Sequence, residues 1–184
     1  GPSPQELYSS PAFSERGYVQ AVVEIPAGTN HKMEYFPEEG NFRVDIKDGR
    51  ERVINFLPYP GNYGYIPSTV MDEAEGGDGD ALDVLIIAES APTGALMEVI
   101  PLGALMLIDE GEEDTKIIAV PADSSLRVIK ATNFADFSIT YGPARKLVED
   151  WFLNYEGMGV VQRSGWRDEN SAVQEIWRWK KKQP

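Results

Sequence analysis

The chain contains no cysteine and a single histidine, His31. Without thiols there are no disulfides and no thiolate metal sites, and the redox compartment cannot be read from cysteine usage. No apolar run approaches the roughly 20 residues that cross a bilayer as a helix. Positions 1–17 lack the apolar core of a signal peptide, so a cytoplasmic protein is expected. Gly1-Pro2 reads as the scar of a removed purification tag, which leaves room for a native leader ahead of it. Basic residues are also scarce: 17 Lys and Arg stand against 30 Asp and Glu, a net charge of −13, which argues against a nucleic-acid partner. No Walker A or other Gly-rich nucleotide loop is present. No internal repeat stands out.

What is present is enough apolar material for one folded domain. Of 184 residues, 42% are hydrophobic and 10% aromatic, which fits a globular chain with a real core. Residues 1–16 are polar and Pro/Ser-rich and are expected to form an arm outside that core, with a single domain over 17–184. Strand-like runs follow at Tyr18–Ile25, Lys32–Phe36, Phe42–Ile46, Arg52–Leu57, Val84–Ala88, Glu98–Ile108 and Lys116–Val120. Asp48-Gly49 is a hairpin-turn signal. Pro58 to Tyr65 is so rich in Pro and Gly that an ordered loop carrying three tyrosines is expected there. Helical spacing appears late. After Gly142-Pro143, Ala144, Leu147, Val148, Trp151, Phe152 and Tyr155 share a stripe. A second helix is expected from Asn170-Ser171, with Val173, Ile176, Trp177 and Lys180 on one face. It would end in Lys180-Lys181-Lys182, where cations suit a helix C-terminus. Of the late tryptophans, Trp177 and Trp179 are expected to pack into the core. Many strands followed by two helices give an α+β fold: a small closed, OB-like β-barrel core with two C-terminal helices packed outside.

The negative charge is concentrated. Asp72, Glu73, Glu75, Asp78, Asp80 and Asp83 form one run without a base, and Asp109, Glu110, Glu112, Glu113 and Asp114 form another. Setting these eleven aside leaves 19 acids against 17 bases, so most of the excess sits in two short segments. Carboxylates this close repel unless cations or protons lie among them. Oxygen donors with no His or Cys nearby favour Mg²⁺, Mn²⁺ or Ca²⁺ over zinc or copper. In extended backbone Asp78 and Asp80 would point to the same side, and Asp83 opens the strand that follows. The spacing does not fit an EF-hand loop. Asp109 and Asp114 flank a short turn and could converge on one cation, with Lys116 placed to neutralise a second anion. Each segment read alone also fits a solvated acidic turn. Glu24, Lys32, Glu34 and Arg52 are charges set in or beside strands, where a solvent face is the commoner use. Tyr59 and Tyr63 either donate hydrogen bonds to phosphate oxygens or pack as ordinary aromatics.

Taken together, these residues resemble the family I soluble inorganic pyrophosphatases from about Tyr18 to Tyr155. The family signature D-G-D-P-L-D is similar to Asp78-Gly79-Asp80-Ala81-Leu82-Asp83. Glu24-Ile25-Pro26, Lys32-Met33-Glu34, Tyr59-Pro60-Gly61-Asn62-Tyr63-Gly64 and Asp109-Glu110 through Asp114 and Lys116 match further family elements in order. The resemblance implies Mg²⁺-dependent hydrolysis of pyrophosphate to two orthophosphates by a metal-activated hydroxide, with several Mg²⁺ per site and Mn²⁺ as a substitute. It implies Asp78, Asp83, Asp109, Asp114, Glu24 and Glu34 as metal ligands. Asp80, Tyr63 and Lys116 become catalytic groups, and Lys32, Arg52, Tyr59 and Tyr155 substrate contacts. It also implies a homo-oligomer, with a hexamer favoured over a dimer or trimer. Two departures stand out: Ala81 replaces the signature Pro, and Glu156 follows Tyr155 where the family has Lys. The phosphate-binding Arg is assigned to Arg52 by its distance to Tyr59, with Arg50 the runner-up. The alternatives are a non-catalytic divalent-metal or phosphate-binding barrel, and a hydrolase of another phosphoanhydride such as tripolyphosphate.

Overall fold

The computed structural model describes residues 1–181. In chain order the elements are α1 (Pro4–Tyr8), β1 (Val19–Ile25), β2 (Met33–Phe36), β3 (Asn41–Val44), β4 (Ile46–Lys47), β5 (Arg50–Glu51), β6 (Asn62–Tyr65), β7 (Asp83–Ile86), β8 (Leu96–Asp109), β9 (Glu112–Pro121), α2 (Phe134–Ile139), α3 (Gly142–Asn154), β10 (Val161–Asp168) and α4 (Glu169–Trp179). The main sheet runs β1-β6-β7-β9-β8 and closes on itself, because Val19–Val22 of β1 pair with Leu96–Val99 of β8. The expected small barrel is therefore a ring of five strands, with β10 added along the second half of β8. The expected late helices, α3 and α4, pack against it.

Alternate residues of the central strands feed two separate cores. Val84, Ile86, Ala104, Met106, Ile117 and Ala119 form one, which α4 covers with Ala172, Ile176 and Trp179. Leu85, Leu105, Leu107, Ile118 and Val120 form the other, beneath Phe137 of α2 and Val148, Trp151 and Phe152 of α3. Strands buried on both faces need apolar residues at every position, which is why β8 and β9 read as continuous runs rather than alternating ones. The β4–β5 and β8–β9 hairpins use two-residue turns with positive φ at both positions, Asp48-Gly49 (55° and 75°) and Glu110-Gly111 (51° and 81°). That is the turn whose twist matches the flanking strands.

Several expectations need correction. Arg52–Leu57 is not a strand; after the short arm β5 the chain is irregular, with a single bridge where Val53 meets His31 and backbone bonds from Lys32 to Arg52 and from Ile54 to Asn30. The Pro/Gly-rich loop ends early, since Asn62–Tyr65 is a fully buried strand. Gly64 makes this pairing close, as a Cβ there would lie 1.8 Å from the Val22 carbonyl oxygen. Asn62 is buried yet satisfied: its Oδ1 accepts the Ala27 and Ala91 N–H groups, each at 2.9 Å, and its amide donates to the Glu89 carbonyl. The arm over 1–16 is packed rather than free, because Leu7 and Ala12 are buried. Trp179 enters the core as expected, but Trp177 is 57% exposed and stacks on Phe13. The helical end at Lys180 is present as the cap of α4, whereas Lys182 lies outside the described residues. Helices α1 and α2 and strand β10 were not anticipated.

Candidate active site

At one end of the ring, β7 and β9 run side by side as a parallel pair in which Asp83 and Lys116 are direct partners. Asp114 precedes Lys116 by two positions and so shares its face. Opposite Asp114 stands Leu107, two residues before Asp109, so Asp109 and Asp114 project from one side of the β8–β9 hairpin. Lys116 is only 3% exposed. It donates to Asp83 at 2.8 Å and to the Tyr63 hydroxyl at 2.6 Å, and lies 2.8 Å from Asp114. Burial by itself would lower its pKa, but Asp114 and Asp83 outweigh burial and hold it well above the usual lysine value.

The aspartate loop reaches the same place by a bend rather than an extended segment. Gly79 has φ +83°, and the Asp80 N–H donates to Asp78 Oδ1 at 2.9 Å, so these two acids are not arranged by strand alternation as expected. Backbone bonds from Met71 to Asp80 and from Gly79 to Met71, both 2.8 Å, tie the loop down. Just beyond it, the Leu82 N–H is held by Thr69. With those ties, rigidity at Ala81 does not depend on the ring of a proline.

These elements enclose a cavity of about 410 Å³. Its wall includes Glu24, Lys32, Glu34, Tyr59, Tyr63, Asp78, Asp80, Asp83, Asp109, Asp114, Lys116 and Tyr155, every candidate named from the sequence except Arg52. Arg52 stands in an adjoining groove, which it shares with Asp109, Tyr155 and Glu156; Arg50 is exposed on the β4–β5 hairpin. Three tyrosines in the wall, Tyr8, Tyr35 and Tyr65, were not foreseen. Tyr65 was visible only as part of the tyrosine loop, and Tyr8 carried no signal because its segment read as an arm. The Tyr65 hydroxyl is buried with no partner among the described residues.

Aromatic packing orients the phenols. Trp151 stacks on Tyr155 at 4.7 Å with only 5° between the rings, and lies 4.3 Å from Tyr59, which in turn neighbours Tyr63. Burial raises the pKa of Tyr59, Tyr63 and Tyr155, so each remains a protonated donor near neutrality.

The acids behave oppositely to isolated surface carboxylates. Burial is the leading cause that raises Asp78, Asp80, Asp83, Glu24 and Glu34, with neighbouring acids adding to it. Asp109 is pushed up to about 6, by burial and then by Glu156. Glu24 is nearly inaccessible and accepts the Tyr35 N–H at 2.7 Å. The wall carries nine carboxylates against two lysines, so it needs further positive charge. A donor set made entirely of oxygen suits hard divalent cations. Among the described residues no three acids form a ready-made knot of ligands. Dispersed carboxylates of this kind fit a cation that keeps several waters and takes few direct protein ligands, as Mg²⁺ does.

A family model described as inorganic pyrophosphatase matches residues 21–183. The chain belongs to the inorganic pyrophosphatase family. Among its relatives, the inorganic pyrophosphatase of Sulfolobus acidocaldarius is 36% identical over 172 residues, covering 91% of this chain and 92% of that protein. That of Neisseria meningitidis serogroup A is 34% identical, with 90% of each chain covered. The crystal structure of the Thermus thermophilus inorganic pyrophosphatase superposes with a TM-score of 0.78 at 30% identity, covering 93% of this chain and 94% of that one. For the Toxoplasma gondii type I inorganic pyrophosphatase the TM-score is 0.82 at 28% identity, with 97% and 85% covered. Within this pyrophosphatase fold, Glu156 occupies a distinctive place. Its carboxylate accepts from Arg52 Nη2 at 3.2 Å, while Arg52 Nη1 donates to Asp45 at 3.4 Å.

Proposed function

We propose that this chain hydrolyses inorganic pyrophosphate to two orthophosphates in a Mg²⁺-dependent reaction, with Mn²⁺ as a substitute. The observation that carries the reading is the cavity in which nine carboxylates surround Lys116 and a set of oriented phenols, in a chain of this family. The substrate is a compact polyanion. An acid-lined pocket repels it unless divalent cations come between, and the phenols and ammonium groups supply the remaining donors.

In this reading Asp78, Asp83 and Asp114, with Asp109, Glu24 and Glu34, would hold the cations, whose chemistry there would be to polarise phosphoryl oxygens and lower the pKa of water. Asp80 accepts the proton of the attacking water. Lys116, fixed by Asp83 and Asp114, and Tyr63, fixed by Lys116, donate to phosphoryl oxygens where charge develops. Tyr59 and Tyr155 donate alongside them, held by Trp151. Lys32 and Arg52 bind the outer phosphate from the mouth. This is positioning and electrostatics throughout, as phosphoryl transfer requires.

The same reading includes one catalytic domain over 17–184, a cytoplasmic location and a homo-oligomer, with a hexamer favoured. Exposed apolar side chains support association: Met158 is 91% exposed, Ile139 84% and Leu147 68%. Light scattering on purified protein tests the assembly. No helix among the described residues is long and apolar enough to cross a membrane.

The deciding experiment measures phosphate release from pyrophosphate, tripolyphosphate and a nucleoside triphosphate. Pyrophosphate is expected to be the preferred substrate with Mg²⁺, with little turnover in Ca²⁺ and none in EDTA. Preference for tripolyphosphate, or turnover that survives EDTA, overturns the reading.

A further inference from the structure

The Arg52 guanidinium is held between two carboxylates, Asp45 at 3.4 Å and Glu156 at 3.2 Å, which lie far apart in the chain. All three side chains are about four-fifths buried, so these contacts are screened less than surface ion pairs. Asp45 lies just before β4, beside Arg52 in the chain's own hairpin: the Arg52 N–H donates to the Asp45 carbonyl at 2.7 Å. Glu156 is different. It follows the cap of α3, 104 positions away, and belongs to the walls of both the catalytic cavity and the adjoining groove. Glu156 therefore links the wall of the cavity to Arg52.

From this geometry we infer that Glu156 is a displaceable internal anion that competes with phosphate for Arg52 and so weakens phosphate binding at the mouth of the cavity. The inference rests on the activity proposed above. A guanidinium offers a planar fork, and a carboxylate and a phosphate oxygen satisfy the same N–H groups. While Glu156 holds Nη2, an incoming phosphate must displace it. Asp109 lines the same cavity and groove as Glu156 and is of like charge, so Glu156 gains nothing by turning towards it. The expected consequence is looser retention of phosphate and a higher KM than a neutral residue would give. Glu156 is thus a positioning residue: it acts on phosphate through Arg52.

The test compares Glu156→Gln with wild type in Mg²⁺, by calorimetric titration with inorganic phosphate and by the kinetics of pyrophosphate hydrolysis. Removing the competitor is expected to tighten phosphate binding roughly three- to fivefold, the span open to a partly exposed ion pair, and to lower KM by a similar factor without raising kcat. In an Arg52→Gln background the same substitution is expected to change phosphate affinity hardly at all. Equal tightening in both backgrounds overturns the inference, because it marks a general field effect. Unchanged or looser phosphate binding by Glu156→Gln also overturns it. Should Glu156→Gln fail to fold, Glu156→Asp keeps the charge but shortens the reach by one methylene, and its phosphate affinity is read the same way. A wild-type protein that binds phosphate but releases none from pyrophosphate defeats the proposed activity, and the calorimetry still decides the role of Glu156.

Discussion

Asp83 and Lys116 meet at 2.8 Å across the parallel β7–β9 pair, in which they are direct partners. Their contact is the junction between the two acidic segments: Asp83 ends the aspartate loop, and Lys116 follows the second segment on β9. Each side chain is a charge that the other makes tolerable in a buried setting.

Lys116→Met should therefore damage both stability and chemistry. It strips the counter-charge from Asp83 and Asp114 and the partner from Tyr63. Loss of one member of a buried pair costs about 3 kcal/mol or more. The urea unfolding midpoint in EDTA is expected to fall accordingly, with part of the loss recovered in Mg²⁺. Turnover should drop at least about a hundredfold. A midpoint equal to wild type in EDTA would mean that the pair contributes little.

Asp80→Asn should separate chemistry from folding. Asp80 accepts nothing from the core, and only its backbone is tied, to Asp78 and Met71. Turnover is expected to fall by about 10²- to 10⁴-fold, the range for loss of a general base, with an unchanged circular dichroism melt. Turnover within a few-fold of wild type would remove Asp80 from that role.

The pH dependence has an unusual sign. For Asp78, Asp80, Asp83, Glu24, Glu34 and Asp109 the folded pKa lies above the ordinary carboxylate value, reaching about 6 at Asp109. The folded chain then binds more protons than the unfolded one, so cation-free stability falls as pH rises through these values. Lys116 stays charged throughout. Divalent cations need the ionised carboxylates, so their stabilising effect must grow over the same window. Thermal midpoints taken from about pH 4.5 to about 7.5, with and without Mg²⁺, should diverge as pH rises. A constant gap would contradict the linkage.

Gly64→Ala tests how the tyrosines are placed. The added methyl would meet the Val22 backbone at 1.8 Å, and no side-chain rotation relieves it. The ring must open at β1–β6, the seam that sets Tyr63 and Tyr65. A loss of about 3 kcal/mol or more is expected by urea denaturation, together with loss of turnover. A fully stable variant would show that β1 and β6 can separate cheaply.

The sequence made the strands of the two-sided core legible because their apolar runs are long, as in β8 and β9. It hid β6, which follows a Pro/Gly-rich stretch that signals a loop, because Asn62 and Gly64 act through contacts with the remote Ala27, Glu89, Ala91 and Val22. It hid β10 as well: Gln162-Arg163-Ser164-Gly165 is polar and mostly exposed, and its strand character comes from the edge of β8. The acids and Lys116 were legible because they cluster along the chain. Arg52 was assigned by its distance to Tyr59, and the structure finds it beside the cavity rather than in its wall. What holds it there, Glu156, is remote in sequence, and no local pattern links the two.

The two-residue turn at Glu110-Gly111 bears on how the site comes into being. It makes β8–β9 a local hairpin, and pairings with short loops incur the least closure entropy. Asp109, Asp114 and Lys116 are therefore brought together by an element that closes on its own turn. Asp83 joins when β7 meets β9, and Glu24 when Val19 finds Val99 and Val22 finds Tyr65. A chain halted before those seams form holds Asp109 and Asp114 with Lys116, and lacks the other proposed ligands. The ability to gather cations is thus a late event in folding, and cations present during refolding reward the final closure rather than the first collapse.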